Sequence, residues 1–483
     1  MLSIILTLFG LLTTSPEFPP KGTAVIDTIR YPNHEIVSDS INKYIEINRI
    51  FIIGNRLTKD HIILRELSMK SGDAINASRL DAIIEQDRKK IYNTRLFNTV
   101  AIRKLEIEPN KIDLLIDLNE RWYTFPTPIF ELSDRNFNEW WQNYDHDFSR
   151  INYGIRLTQF NMRGRNETLQ ATMQFGFNRN FSLRYSIPYI DQKQKQGLMV
   201  DLYFAESKNL AYQTVEHKLD FYSSKRLLRE TRGASITYSY RNSFYETHAI
   251  KVDYEDTNVD DTIPKLNPNY LGPEIVRQQL LRLSYHFFSD HRDVIAYPLK
   301  GYHFRVSAYQ AGLGLDVKKT EIIASYSKFF NLKKQFYLSN YTYGYWSSPD
   351  NLPYNQYGVM GFRKEVLRGY EIYVIEGPYY ALNKTTLKKR IFSRVYRWEK
   401  GPIPQFRHIP LSIYLKTYAD IGYVKNYPYY EENSFNTLFA DKLLIGTGAG
   451  IDVVSAYDMV FRFEYTVNGE GRSGFFFNLK KEF

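Results

Sequence analysis

The chain has 483 residues, a formal net charge of +10 and no cysteine, which excludes a disulfide scaffold and a thiolate metal site. Mean hydropathy is −0.43 and no run of 18 apolar residues follows the first 15 positions, so a helical membrane protein is excluded as well. Tyr (40), Phe (32) and Trp (5) bring the aromatic content to 16%, which suits a membrane β-barrel with aromatic girdles at both interfaces. The basic residues alternate along strand-like runs instead of forming a patch. They point to a polar lumen or to anionic lipid, not to nucleic acid.

Residues 1–15 read as a signal peptide with the apolar core Ile4–Leu12, although no Lys or Arg precedes that core and no A-x-A follows it. Residues 16–43 lack periodicity and read as a linker. Residues 44–122 then show the order β-α-α-β-β, a small α+β domain. An apolar run, Ile47 to Ile53, ends at the turn pair Gly54-Asn55. Thr58 stands where an N-cap is wanted for a helix with Ile62, Ile63 and Leu67 on one face. Leu80, Ile83, Ile84 and Ile91 mark a second helix that starts near Asn76 to Ser78. Val100–Ile102 and Lys111–Leu118 are strands, and Glu120-Arg121-Trp122 closes the module. A three-stranded sheet of this kind leaves an edge that can accept an incoming strand.

The module resembles a POTRA domain, the periplasmic repeat of outer-membrane assembly barrels. The resemblance rests on I-x-R-I-x-I-x-G-N-R-x-T (47–58), L-x-x-x-x-G-D (67–73), R-L-F-N-T-V (95–100) and the closing Glu120-Arg121. It departs in number: one copy is present, where the central assembly protein of that family usually has five.

From 127 to 483 the period becomes two. Ile151, Tyr153, Ile155 and Leu157 alternate with polar residues, as do Phe461, Phe463, Tyr465 and Val467. Runs of 10 to 12 residues exceed ordinary strands and match tilted membrane strands. Seventeen candidates can be marked; alternation of short and long links fails only if 215–225 is a wall strand, so that segment is assigned to an outer loop (208–231). An all-β transmembrane barrel of 16 antiparallel strands is predicted, with both termini on the periplasmic side. Its first strand, Thr127–Ser133, is short and contains Pro128, with Pro126 just before it, which predicts a weak seam against the last strand. Phe477, Leu479 and Phe483 lie at even spacing and resemble the C-terminal insertion signal of outer-membrane barrels, with Lys481 departing from it.

Between strands 11 and 12 lies a polar stretch, G-V-M-G-F-R-K-E-V-L-R-G-Y (358–370). One POTRA-like module, 16 strands and a loop carrying Leu367-Arg368-Gly369-Tyr370 together resemble the BamA/TamA-like superfamily. That resemblance implies that the loop folds into the lumen and that its Arg meets an acidic residue of a D-x-G element on strand 13. Here the element is Asp420-Ile421-Gly422, and alternation alone turns Tyr414, Lys416, Tyr418 and Asp420 inward. The expected pair is Arg368–Asp420; the alternatives for Asp420 are Lys416 and Arg305. The family further implies insertion or translocation of proteins at the outer membrane, through strand capture and a lateral opening. Partners implied are outer-membrane lipids and lipopolysaccharide, unfolded or partly folded client proteins, and accessory lipoproteins or a homo-oligomer. The competing reading is a passive porin or receptor barrel with an accessory domain. No catalytic residue, cofactor or metal is expected. Asp145-His146-Asp147, with Ser149 beside it and Trp140-Trp141 nearby, are sequence neighbours in a loop, which is not how a triad assembles.

Overall fold

Local signals place the first strand of the module and its turn. The computed structural model describes residues 44–132, 148–313, 315–361, 365–398 and 404–479. The module comprises β1 (Tyr44–Ile53), α1 (Asp60–Leu64), β2 (Ala74–Asn76), α2 (Ala77–Asn93), β3 (Phe97–Glu108) and β4 (Lys111–Glu120). Its sheet has four strands, not three, in the order β2-β1-β4-β3. The additional strand, β2, has three residues, too few to show a period, and it pairs with Tyr44–Glu46 at the outer edge of β1. At the other border, β3 carries no further strand among the described residues along its 12 residues. Alternate residues of β4, Ile112, Leu114, Ile116 and Leu118, are buried beneath the helices with Ile47, Ile63, Leu80 and Ile91.

Asn76 caps α2, its side chain accepting the Ser78 N–H at 3.0 Å. Thr58 is not the cap of α1; Lys59 holds that position without a side-chain cap bond. A stronger acceptor has taken Thr58: its hydroxyl and its N–H both donate to Glu120 Oε1 at 2.7 Å. Gly54 turns with φ +88°, and a Cβ there would lie 1.9 Å from the Leu118 carbonyl oxygen.

The wall follows: β5 (Thr124–Leu132), β6 (Ile151–Met162), β7 (Glu167–Gly176), β8 (Arg179–Ile187) and β9 (Gln196–Ser207). A hairpin, β10 (Asn209–Val215) and β11 (Lys218–Ser223), stands outside the wall, as alternation required of 215–225. The wall resumes with β12 (Arg229–Arg241), β13 (Glu246–Val259), β14 (Arg277–Asp290), β15 (Gly301–Ala311), β16 (Lys319–Asn331) and β17 (Phe336–Ser348). After the small hairpin β18 (Val359–Gly361) and β19 (Val374–Glu376) come β20 (Tyr379–Arg397), β21 (His408–Val424), β22 (Leu443–Val454), β23 (Val460–Asn468) and β24 (Ser473–Leu479). Sixteen strands form one antiparallel sheet, each paired with its neighbours in wall order. Large apolar residues such as Leu415, Ile421, Tyr465 and Phe475 are exposed on the outside, while Lys416, Asp420, Asp452 and Glu464 are buried on the inside. This is the all-β barrel predicted.

The first wall strand starts earlier than predicted, at Thr124, so both Pro126 and Pro128 lie within it, opposite Leu157 and Ile155. Its ladder to β6 is unbroken from Thr124 to Leu132. Two prolines of one parity are compatible with that ladder only if their missing N–H groups face the other edge. Among the described residues no ladder joins β5 to β24.

The module is held against one end of the wall, where the β6–β7, β12–β13 and β22–β23 links lie. Arg241 makes a two-pronged pair with Glu66 (3.0 and 3.2 Å), and Arg121 another with Asp458 (3.1 and 3.3 Å). Asn161 donates to the Thr58 hydroxyl at 2.8 Å and the Lys59 N–H to the Gly164 carbonyl at 2.9 Å. The Arg65 guanidinium lies 3.5 Å from the Tyr189 ring centre. Replacing Gly54 by Ala should destabilise the module by at least about 2 kcal/mol, through a strained φ and a clash with β4. Proteolysis of the module at increasing urea, with the barrel as internal reference, would register the change.

Candidate functional site

The link between β17 and β20, residues 349–378, starts at the end of the wall away from the module and folds inward. The β18–β19 pair stiffens it. Leu367 and Tyr370 have 0% and 1% of their surface exposed, so this polar-looking stretch is buried.

Arg368 makes the predicted contact. Its Nε donates to Asp420 Oδ2 at 2.7 Å, and one terminal nitrogen donates to Asp420 Oδ1 at 2.5 Å and to the Thr386 hydroxyl at 3.0 Å. The other terminal nitrogen is 3.6 Å from Glu464, and the guanidinium stacks 3.8 Å from the Tyr418 ring centre. Asp420 is 0% exposed. A planar fork on a carboxylate, with stacking on an aromatic face, is a geometry that Lys could not reproduce. Neither alternative partner takes Asp420: Lys416 pairs with Asp452 at 2.5 Å and Glu464 at 2.9 Å, and Arg305 donates to Ser307 at 3.2 Å.

The neighbouring residues seat the fork. Gly369 has φ +93°, and its carbonyl accepts from the Asn468 side chain at 3.0 Å. The Tyr370 hydroxyl donates to Glu470 at 2.8 Å, and its ring meets Phe439 edge-on at 5.4 Å. On the wall, Gly422 leaves room for Leu367, whose Cδ2 is 3.2 Å from where a Cβ would stand. The Asp-x-Gly element therefore receives two loop side chains, Arg368 on the carboxylate and Leu367 on the glycine.

Three features of the site escaped the sequence reading. Gly446, Gly448 and Gly450 line the inner face of β22; a Cβ on Gly446 would lie 1.8 Å from the Arg368 carbonyl oxygen. The bare stripe was the signal, because three glycines of one parity in a wall strand mean that something lies on them. Lys416, Asp452 and Glu464 form an ion-pair chain beside Arg368. Their inward parity was legible; their mutual reach was not. The third feature is the layer of loops above the site. His217, 1% exposed, ties the β10–β11 turn to two loops. Its Nε2 accepts the Phe439 N–H at 3.0 Å, its backbone N–H donates to Asn436 Oδ1 at 2.8 Å, and its backbone carbonyl accepts the Val374 N–H at 2.8 Å. Burial lowers the imidazole from 6.5 to about 4.

Of the remaining predicted residues, Asn55 donates to the Thr58 carbonyl at 3.0 Å and to Asp60 at 2.6 Å, closing the turn after Gly54. Phe477 and Leu479 are exposed on the outer face, with Phe477 5.0 Å from Phe463. Phe483, Lys481 and the Asp145–Asp147 cluster lie outside the described residues.

A 16-stranded antiparallel wall, a small α+β repeat at one end and an arginine loop clamped in the lumen define a class of outer-membrane barrel with a preceding POTRA module. The Omp85 superfamily domain matches residues 161–483, and the POTRA model, described as a surface antigen variable number repeat, matches residues 45–121. The chain belongs to the Omp85 superfamily. It is 23% identical over 305 residues to the outer membrane protein assembly factor BamA of Neorickettsia risticii, a match that takes in 63% of this chain and 36% of that protein. The chain thus spans little more than a third of the relative it matches. Among solved structures, CdiB from Escherichia coli is 11% identical with a TM-score of 0.51, over 91% of this chain and 75% of that one. BamA from Haemophilus ducreyi lacking POTRA domains 1–3 is 15% identical with a TM-score of 0.48, over 90% and 83%. The likeness to CdiB speaks to the fold alone.

Two outcomes are expected. Arg368→Ala strands a buried Asp420 and should cost about 3–5 kcal/mol, read as a lower temperature for loss of the folded band in semi-native electrophoresis. Adding Asp420→Ala should restore part of the loss. At the loop layer, the native state favours neutral His217, so its contribution is full above pH 6.5 and fades as pH falls towards about 4. Protease cleavage of the loops should accelerate from pH 7 to 5 in the wild type and stay flat in His217→Gln, whose side-chain oxygen still accepts the Phe439 N–H.

Proposed function

We propose that the protein sits in a bacterial outer membrane with its module in the periplasm and assists the insertion or translocation of other polypeptides. It carries out no chemical step of its own. The observation that carries the reading is the Arg368–Asp420 clamp, two bonds of 2.7 and 2.5 Å within a wall whose first and last strands share no ladder among the described residues. A passive pore has no use for a charged loop fixed at such desolvation cost. A machine that must keep its lumen stoppered while its wall opens sideways does.

In this reading the working surfaces are backbone. The β3 edge of the module offers unpaired N–H and C=O groups to an incoming strand, and the β5–β24 seam offers a second template. Pro126 and Pro128 weaken the seam by two donors, which lowers the cost of parting it. The exposed apolar belt faces lipid, including lipopolysaccharide in the outer leaflet. Client outer-membrane proteins are the substrates; accessory lipoproteins or a second copy of the chain would meet the module.

The chain has no native cysteine, so an engineered pair can lock the seam cleanly. One cysteine on β5 and one on β24, scanned over the register, should reduce assisted folding of a small barrel client in liposomes at least tenfold when oxidised, with recovery on reduction. Undiminished client insertion through a locked seam would sink the lateral mode. Large, steady conductance from wild type and Arg368→Ala alike would favour the porin reading instead.

A further inference from the structure

The link between β14 and β15, residues 291–300, leaves the rim and enters the lumen from the module end. Asp293 shapes it: its Oδ1 accepts the N–H groups of Val294 (2.9 Å), Leu299 (3.0 Å) and Lys300 (3.1 Å). The tip is buried, with Ala296 at 7% and Tyr297 at 5% exposure. Tyr297 packs with Tyr337, Tyr414 and Val460 of the wall, its ring 4.8 Å from that of Tyr414.

The Tyr297 hydroxyl donates to Asp452 Oδ2 at 2.9 Å. Asp452 also takes Lys416 at 2.5 Å; Lys416 reaches Glu464 at 2.9 Å; Glu464 lies 3.6 Å from Arg368. Arg462 stands 3.6 Å from Asp452. Three carboxylates (Asp420, Asp452, Glu464) therefore interleave with three cations (Arg368, Lys416, Arg462), and a fourth cation, Lys388, 1% exposed, lies 4.6 Å from the Tyr297 ring centre. In such a chain each member fixes the next, because a shift of one leaves its neighbour buried and under-compensated. At its other end the link is gripped by the module: the side chain of Asn93, the last residue of α2, donates to the Asp293 carbonyl at 3.2 Å and accepts the Ile295 N–H at 3.2 Å.

We propose that residues 291–300 are an inner latch, and that Tyr297 is a positioning residue for Arg368, acting through Asp452, Lys416 and Glu464. Resting on the proposed function, the inference adds how the stopper is released. When a client draws the module away from the wall, Asn93 lets go of the link, Tyr297 leaves Asp452, and Lys416 recentres on the uncovered carboxylate. Glu464 then bears on Arg368 alone, and the fork on Asp420 loosens. Engagement of a client at one end of the barrel thereby reaches the loop at the other.

The test is conductance of the purified full-length chain in planar bilayers, which does not depend on any client. Tyr297→Phe removes one hydroxyl and keeps the ring packing; it should raise the frequency of open events about tenfold over a closed wild type. Asn93→Ala should raise it in the same direction by a smaller factor. In Tyr297→Phe/Arg368→Ala the two effects should be strongly less than additive, a signature that loosened packing alone would not give. Wild-type frequencies in both single variants, or plain additivity in the double, would overturn the latch. Undiminished client insertion in the seam-locked variants would instead sink the lateral mode and leave the conductance result standing.

Discussion

A guanidinium enclosed by protein has to be matched atom for atom. Arg368 keeps only 13% of its side chain exposed and Asp420 none. Taking two charges out of water costs several kcal/mol each, and only excellent geometry returns it. The loop meets that demand with two bonds to one carboxylate, a third to Thr386 and the face of Tyr418. The rest of the site follows from making that geometry reachable. Gly422 admits Leu367, Gly446 admits the Arg368 backbone, and Gly369 turns the chain where a side chain would be strained.

The glycine stripe has a second consequence. On a wall strand an inward side chain ordinarily screens the strand on its left from the strand on its right. Residues of β21 pair with Gly446, Gly448 and Gly450 of β22, and those glycines pair in turn with Asn468, Thr466 and Glu464 of β23. With no side chain between them, the Tyr418 hydroxyl reaches Thr466 at 2.9 Å and Lys416 reaches Glu464 at 2.9 Å. Strands β21, β22 and β23 thus share one polar surface, and the loop docks onto it. Charge pairs also fix the module at the rim, through Glu66–Arg241 and Arg121–Asp458. The motif residues Glu120 and Arg121 divide the work: the first ties the turn of its own module, the second ties the module to the wall.

The strand count, the exclusion of 215–225 from the wall and the inward parity of Asp420 were legible because a period of two is a local fact, whereas the choice of Arg368 as the partner of Asp420 came from the family resemblance. What was not legible depended on competition or on distance. Thr58 looked like a cap until Glu120, 62 residues on, offered it a carboxylate. β2 is shorter than any period. Asp452 and Tyr297 are 155 residues apart, and nothing in a turn sequence such as Val294–Leu299 says that it enters a lumen. Lys416 was considered for Asp420, two turns of alternation away from the carboxylates it prefers; parity fixed its face but not its partner.

The seam shows how a sequence can weaken one boundary and spare its neighbour. β5 must pair firmly with β6, or the wall would fray from its start. It must part from β24 if the proposed lateral opening occurs. Placing Pro126 and Pro128 at one parity satisfies both demands: every donor required by β6 remains, and both missing donors fall on the free edge. Prolines of mixed parity would have broken the β6 ladder; none at all would have left a full set of donors towards β24. A barrel meant only to be closed gains nothing from this spacing, since each N–H it lacks is a bond it cannot make. The same two residues also keep the parted edge from being a complete template for unintended strands, so the seam is easier to open without becoming indiscriminately adhesive.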